Sequence, residues 1–514
     1  MNIPLPTPQE MGHWDRLSIE TYGIPGEMLM ENASREAFHV LLERVRSLEG
    51  LQVILFAGSG NNGGDAFALS RHLSDSGARC MVLHTRRQDD YSGETAFHLT
   101  LAKKVGVPLV YLPEYNLDFL TAPDIIVDGL LGTGFQGSLR QDYLDWITHI
   151  NQFKGRAQIM ALDIPSGLSG LTGRADPTAV RADCTVTFGA AKVGLFLPEA
   201  REFTGELHTR TIGIPREVQD SNPPQCFGLN QDILTHLPAI KPTEHKGNAG
   251  HVLILGGSFG LSGAPTLAGL GVLRSGGGLV TVGCPKGVSS EVKQGWPEIM
   301  TLPLGPGKTW SAACFEDLKP QLNNVDAVVL GPGMGRNEGG TEFVQTYLRA
   351  DHPPTVIDAD GLFHLAQDRK LWSLLSPETI LTPHPGEMAR LCDRTIADIQ
   401  KDRITQARQL ADRIGCILVL KGAGTVVAAP GRPVSVSPVA CPSLAIGGSG
   451  DVLSGILGSL TARGLDPYKT ACVGVYWHGL AGRTLESMSP HQGNLAREIA
   501  HILPRALEFP ETRV

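Results

Sequence analysis

The chain has 514 residues, 42% hydrophobic and 19% charged, with a net charge of −8. The apolar share excludes a disordered chain, and the acidic balance argues against a nucleic-acid-coating protein or a basic membrane binder. At roughly 100–200 residues per domain the length predicts two to four domains, and the 61 glycines, lacking a G-X-Y period, exclude collagen.

Nine cysteines form no C-x-x-C pair and are odd in number, so neither a zinc site nor a disulfide framework is indicated. The N-terminus has no apolar h-region and no run of about 18 apolar residues occurs, so neither a signal peptide nor a membrane span is expected. The expected setting is soluble, reducing and cytoplasmic, with no nucleic-acid or membrane partner.

Helical spacing of apolar residues predicts a helix over 12–47. Strand signals follow at LQVILFAG (51–58), CMVLHT, VPLVYL, DIIVDGLLG and QIMALDIPSG, with a helix over 65–77. Alternation of this kind predicts a parallel sheet with crossover helices. The pattern lapses over 214–241, where paired prolines and a polar run predict a linker near 216–226. It restarts at HVLILGGS (251–258) and continues through GLVTVGCP, AVVLGPG, TVIDAD, TILTPHPGE and CILVLKGAG to a long helix from about 450. Two α/β domains are read, 1–217 and 226–514, without an internal repeat.

Three loops in the first half end predicted strands. Gly58-Ser59-Gly60-Asn61-Asn62-Gly63-Gly64-Asp65 opens a helix, where backbone amides and the helix dipole favour phosphate; a glycine turn needed only for packing is the alternative. The run contains G-x-G-x-x-G, yet the next strand ends His84-Thr85-Arg86-Arg87 without the acidic residue of an ordinary Rossmann NAD site. The other loops are Asp128 to Gly137 and Asp163-Ile164-Pro165-Ser166-Gly167. Strand C-termini share one edge of a parallel sheet, so Asn62, Asp128 and Ser166 can converge as an all-oxygen shell whose single charge suits a monovalent cation better than Mg2+. A loop-bracing role for Asp128 stays open. Lys192 is either a proton donor or base, or a solvated lysine.

GSGNNGGD, DGLLGTGFQG and DIPSG, in this order, resemble the NAD(P)H-hydrate epimerase domain of the YjeF N-terminal family, over about 1–215. The resemblance implies that the hydrated dinucleotide is held by Asn61, Asn62, Gly63, Gly64 and Asp65 and by Gly132, Thr133, Gly134, Phe135, Gln136, Gly137 and Ser138. It implies potassium at Asn62, Asp128 and Ser166, and substrate contact by Asp163, which with Lys192 is a catalytic candidate. Ala66 departs from the family's usual GDG and adds a methyl group at the loop edge.

In the second half Gly447-Gly448-Ser449-Gly450-Asp451 opens the long helix. Amides at a helix start stabilise charge on a transferring phosphoryl group, and Asp451 can accept the proton of an attacking hydroxyl; the alternative is a carboxylate serving only the helix dipole. No G-x-x-x-x-G-K-[ST] occurs, so a P-loop is excluded. Lys421-Gly422-Ala423-Gly424-Thr425 reads as a nucleotide loop. His384 follows a strand and either positions substrate or is structural. Asp358 and Asp360 end another strand, near phosphates or metal or as a cap.

GGSGD with HKGNAGHVLILGGS, SGAPTLAG, GPGMG, DADGL, LTPHPGE and LKGAGT resembles the ADP/ATP-dependent NAD(P)H-hydrate dehydratase branch of the ribokinase-like superfamily, over about 241–475. The resemblance implies hydrated-nicotinamide contacts at Ala264, Gly335, His384 and Asp451, and adenine-nucleotide contacts at Lys421, Gly422, Ala423, Gly424, Thr425 and Gly450, with Mg2+ accompanying ADP. Ser449 stands where threonine is common and keeps the hydroxyl. Together the resemblances imply a Rossmann-like three-layer domain followed by a ribokinase-like α/β domain. The first would interconvert the R and S hydrates NADHX and NADPHX; the second would phosphorylate the S-epimer from ADP and eliminate phosphate. A homo-oligomer, tetramer or larger, is expected. Two alternatives remain: a kinase for a vitamin-like alcohol, and a non-catalytic nucleotide-sensing first domain.

Overall fold

The computed structural model describes residues 3–120, 122–135, 137–239, 247, 249–489 and 493–508. Gln136 and the motif residues His245, Lys246 and Asn248 lie outside the described residues. The chain divides into two compact units, one spanning Pro4–Phe227 and one running from Gly228.

The first unit opens with α1 (Pro8–Glu20), begun by a capping box between Thr7 and Glu10, and α2 (Gly26–Arg44). The single helix expected over 12–47 is therefore two: Pro25, which has no N–H to donate, stands between them. Strands β1 (Gln52–Ala57), β2 (Arg79–His84), β3 (Leu109–Tyr111), β4 (Ile125–Gly129), β5 (Gln158–Leu162), β6 (Cys184–Phe188) and β7 (Glu206–Arg210) form one seven-stranded sheet in the order β3-β2-β1-β4-β5-β6-β7. Every pairing is parallel. The central strands β1, β4 and β5 are largely apolar because both faces are covered, whereas the edge strand β7 is polar and more exposed. Val53 and Leu55 pack with α2, α3 (Asn61–Asp75) and α4 (Gly93–Lys104), whereas Ile54 and Phe56 pack with α5 (Gln141–Asn151). The result is three layers, with a change of winding direction between β1 and β4.

Residues 216–226 are not a free linker. Arg216–Ser221 is a helix, Asn222 O accepts from Trp14 Nε1 at 2.9 Å, and Gln225 N donates to Glu10 Oε1 at 3.0 Å. The buried indole of Trp14 needs an acceptor, and the segment supplies it by packing on α1.

In the second unit, β8 (His251–Leu255), β9 (Leu279–Pro285), β10 (Met300–Leu304), β11 (Ala327–Leu330), β12 (Thr355–Ile357), β13 (Ile380–Leu381), β14 (Ile417–Leu420), β15 (Val426–Ala428) and β16 (Val434–Val436) run as neighbours in the order β16-β15-β14-β13-β12-β11-β8-β9-β10. The pairings from β10 through β14 are parallel, and β14-β15-β16 are antiparallel. Helices α6 (Gly263–Arg274), α7 (Glu338–Arg349), α8 (Asp360–Gln367), α9 (Pro385–Cys392), α10 (Arg403–Ile414), α11 (Ser449–Ala462), α12 (Pro467–Met488) and α13 (Ala496–Ala506) accompany them. The core lies between the strands and α6, α11, α12 and α13, through residues such as Val329, Val356, Ile456, Tyr476 and Leu503. Among the described residues no helix is long and apolar enough to cross a membrane.

Candidate functional sites, one in each unit

In the first unit the loops after β1, β4 and β5 meet where the winding direction changes. The register pairs Ala57 with Gly129 and Asp128 with Ala161, so the three loops leave the sheet at one level. Gly58 is required by this meeting, since a Cβ there would lie 1.8 Å from Leu130 O. Asp128 is fully buried and accepts from Ser166 Oγ at 2.6 Å, Ser166 N at 2.7 Å and Leu130 N at 3.2 Å. Burial nonetheless pushes its carboxyl up to about 6. Asn62 Nδ2 donates to Leu131 O at 2.8 Å, which leaves buried Asn62 Oδ1 without a partner. The predicted oxygen set thus comes together, and Asp128 also braces the loops.

Above this floor lies a cleft of about 660 Å³ lined by Asn61, Asn62, Asp65, Gly132, Thr133, Gly134, Phe135, Asp163 and Lys192, and also by α1 residues Met11, Gly12, Asp15, Arg16, Ile19 and Glu20. Gly63 and Gly64 are buried beneath it, whereas Gly137 and Ser138 are exposed and do not line it. Lys192 is not a solvated lysine. It is 1% exposed and donates to Asp163, to Thr187 Oγ1 at 3.1 Å and to Phe188 O at 3.0 Å. Asp163 holds a positive φ of 59°, a strained conformation for a non-glycine residue and one that concentrates at functional sites. Burial, then the charge of Asp163, holds the Asp65 carboxyl well above its ordinary range. Asp15 carries no motif, and only the folding of α1 against the cleft brings it to this site.

In the second unit the register aligns Ile357, Leu381 and Leu418, so the loops after β12, β13 and β14 set Asp358, His384 and Lys421 along one edge. Buried Arg403 anchors the third loop by donating to Ala423 O, to Leu420 O at 3.1 Å and to Lys421 O at 3.2 Å. Lys421 Nζ donates to Asp358 Oδ1 at 2.6 Å and lies 4.0 Å from Glu387 Oε2. Burial opposes its charge, but Asp358, Glu387 and Asp451 outweigh burial and raise its pKa. Helix α11 starts here: Gly448, with φ 90°, caps it in a conformation other residues rarely adopt. Burial, reinforced by Asp358, pushes the Asp451 carboxyl up to about 8, and burial pushes Glu387 up to about 7.

These groups line a cleft of about 710 Å³ with Gly422, Ala423, Thr425 and Gly450; its apolar wall includes Val439, Pro442, Leu444, Ile446, Leu453 and Val475. Gly424 is not in the lining, but its N donates to Val439 O at 3.2 Å and ties the loop to that wall. His384 caps α9, its Nδ1 accepting from Gly386 N at 3.0 Å, so it is both structural and part of the lining. Ala264 and Gly335 fall outside this cleft, beside the loops after β8 and β11, where Gly257 N donates to Pro332 O at 2.9 Å. Gly335 N donates to Asp360 Oδ2 at 2.9 Å, which connects that region to the start of α8.

Two glycine-loop clefts, each at the carboxyl edge of a parallel sheet and each holding buried acid–lysine pairs, define an α/β enzyme of nucleotide-sized ligands with one site per unit. Family models agree: residues 26–194 match the YjeF-related protein N-terminus, and 252–505 match NAD(P)H-hydrate dehydratase. The bifunctional NAD(P)H-hydrate repair enzyme of Moorella thermoacetica is 37% identical across 99% of this chain and 98% of its own, and that of Escherichia coli 34% identical across 96% and 91%. The chain belongs to the family of bifunctional NAD(P)H-hydrate repair enzymes. A crystal structure of the ADP/ATP-dependent NAD(P)H-hydrate dehydratase from Bacillus subtilis, co-crystallised with ATP and Mg2+, is 30% identical over 54% of this chain and 95% of its own, with a TM-score of 0.45.

Proposed function

We propose that the first unit interconverts the R and S hydrates of NADH and NADPH, and that the second dehydrates the S hydrate at the expense of ADP. The observation that carries the second activity is Asp451 at the start of α11, in the same cleft as the Asp358–Lys421 pair. Asp451 takes the proton of the substrate hydroxyl as the phosphoryl group transfers. The amides of Gly448 to Gly450 take up charge on the phosphoryl oxygens, and the apolar wall limits competing attack by water. Loss of the phosphate ester as phosphate then restores the ring double bond. The dehydratase accepts one epimer, so the epimerase feeds it the other half of the damaged pool.

Potassium fits the floor of the first cleft, where one carboxylate, the Ser166 hydroxyl and the orphaned Asn62 Oδ1 supply only oxygen donors. Bound there it supplies positive charge beneath the loops that face the dinucleotide. In the second cleft Asp358, Glu387 and Asp451 gather carboxyl oxygens around a single lysine, a donor set that suits Mg2+ carried mainly by nucleotide phosphates. The reading extends to a cytoplasmic homo-oligomer, tetramer or larger. Incubation of the S hydrate with ADP tests it: the expected products are inorganic phosphate and absorbing reduced nicotinamide, whereas a stable phosphate ester would make the chain a kinase.

A further inference from the structure

Asp15 is in the middle of α1, beyond the reach of a capping role, at a position where aspartate is a poor helix former. Its neighbours at helical spacing, Met11, Gly12 and Ile19, line the first cleft with it, so this face of α1 is a wall of the site. Asp15 Oδ1 is buried and has no hydrogen-bond partner. An unpaired buried carboxylate oxygen is costly, and it is found where a ligand or a reaction uses it. The groups facing it are Lys192 and Asp163 from the β5 and β6 loops and Asp65 from α3, with Arg16 and Glu20 on its own helix and Glu94 at the cleft margin.

We propose that Asp15 is a proton-carrying group of the epimerisation, acting on the hydrate from the α1 wall alongside the Asp163–Lys192 pair. The proposal rests on the epimerase reading of this cleft. Water adds to an enamine at the carbon next to nitrogen, so the hydroxyl of the hydrate sits on a carbon bonded to the ring nitrogen. Epimerisation breaks that C–O bond: the nitrogen lone pair forms C=N, and the hydroxyl leaves as water with a proton from a carboxylic acid. Water returns to the other face of the planar cation, re-forms C–O and gives a proton back to a carboxylate. No oxidant or reductant is needed, but a group able to hold and release a proton is. Asp163 Oδ1 accepts from Lys192, Thr187 and Phe188 N, whereas Asp15 Oδ1 is buried with no hydrogen-bond partner. Burial, against the pull of Lys192, places the Asp15 carboxyl at about 6, where both forms are populated near neutrality.

The test uses full-length D15N and D15E, with the R hydrate as substrate and chromatographic separation of the epimers. D15N should lower the turnover of epimerisation roughly 10²–10⁴-fold with KM changed less than about threefold, and should lose the pH limb near 6 expected of the wild type. D15E, which restores a carboxyl, should recover part of the rate with a shifted limb. Dehydration of the S hydrate by either variant should be unchanged. D15N retaining more than about a tenth of the rate, or keeping the wild-type pH limb, would overturn the proposal. Should D15N fail to fold, an unshifted limb in D15E overturns it equally. A wild-type chain that leaves R hydrate untouched would sink the epimerase reading itself, a result distinguishable from failure of the variants alone.

Discussion

Lys421 Nζ, just after β14, donates to Asp358 Oδ1, just after β12, at 2.6 Å across the end of the intervening β13, and the Asp451 carboxyl shares the same lysine. One cation thus balances more than one buried carboxylate, which leaves Asp451 short of compensating charge. Burial and this shortage of charge together raise the carboxyl of the proposed general base at the start of a helix that would otherwise favour its ionised form.

Asp451→Asn is close to isosteric and removes the proposed base. The dehydratase barrier should rise by about 3–5 kcal/mol, the equivalent of losing general-base catalysis. ADP affinity measured by calorimetry should change little, and epimerisation should be intact. A variant with more than about a tenth of the wild-type rate would remove Asp451 from that role.

The raised pKa has two consequences of known sign. The base must be deprotonated, so kcat/KM for dehydration should rise about tenfold per pH unit below 8 and level off above it. For stability, the folded unit keeps a proton that the unfolded chain, with Asp451 near its ordinary 3.8, releases. The Asp451 contribution is therefore present below that value and is lost as pH rises through about 8. Thermal unfolding should show Asp451→Asn gaining stability over wild type as the pH is raised above neutral. A variant less stable than wild type at pH 8 would contradict the burial argument.

Asp128→Ala should do two things at once. It leaves buried Ser166 N and Leu130 N without acceptors, at about 1–3 kcal/mol for each buried donor. It also removes the only formal charge of the oxygen set, so epimerisation should lose its response to potassium. Asn62→Ala deletes an oxygen that holds nothing else and should blunt the potassium response with a smaller loss of stability. Equal epimerisation in potassium-free medium would refute the cation assignment.

The two activities should separate, and the place of the cut matters. Residues 1–227 alone should fold and epimerise without nucleotide. Residues 1–217 remove Asn222, whose carbonyl accepts from Trp14, and Gln225, which bonds Glu10. The shorter fragment should melt lower, by roughly 1–3 kcal/mol for the unpaired indole alone. Equal melting of both fragments would contradict the packing of 216–226 on α1.

The parallel strands were legible because strands buried on both faces read as unbroken apolar runs such as Val53 to Ala57 and Ile417 to Leu420. The loops that follow them carry the site, so Asn62, Asp128, Ser166, Lys421 and Asp451 could be named from order and spacing. Lys192 could not be distinguished from a solvated lysine, because its burial depends on Asp163 arriving from the end of β5 beside Thr187 of the preceding strand. The segment at 216–226 reads as a linker because its prolines hide the acceptor it offers to Trp14. Short strands such as Val426–Ala428 and the irregular wall from Val439 to Ile446 give no periodic signal; they are recognisable only once β14 and α11 stand beside them. Asp15 is one charged residue in an amphipathic helix until that helix is placed against the cleft.

The most direct measurement is recovery of reduced nicotinamide from an equal mixture of R and S hydrate, with ADP and Mg2+ in potassium buffer. The account predicts recovery of both epimers with one inorganic phosphate released per molecule repaired, recovery of only the S half from Asp128→Ala on the same timescale, and none from Asp451→Asn. Recovery of only half the mixture by the wild-type chain, or a phosphorylated nicotinamide that persists, would contradict it.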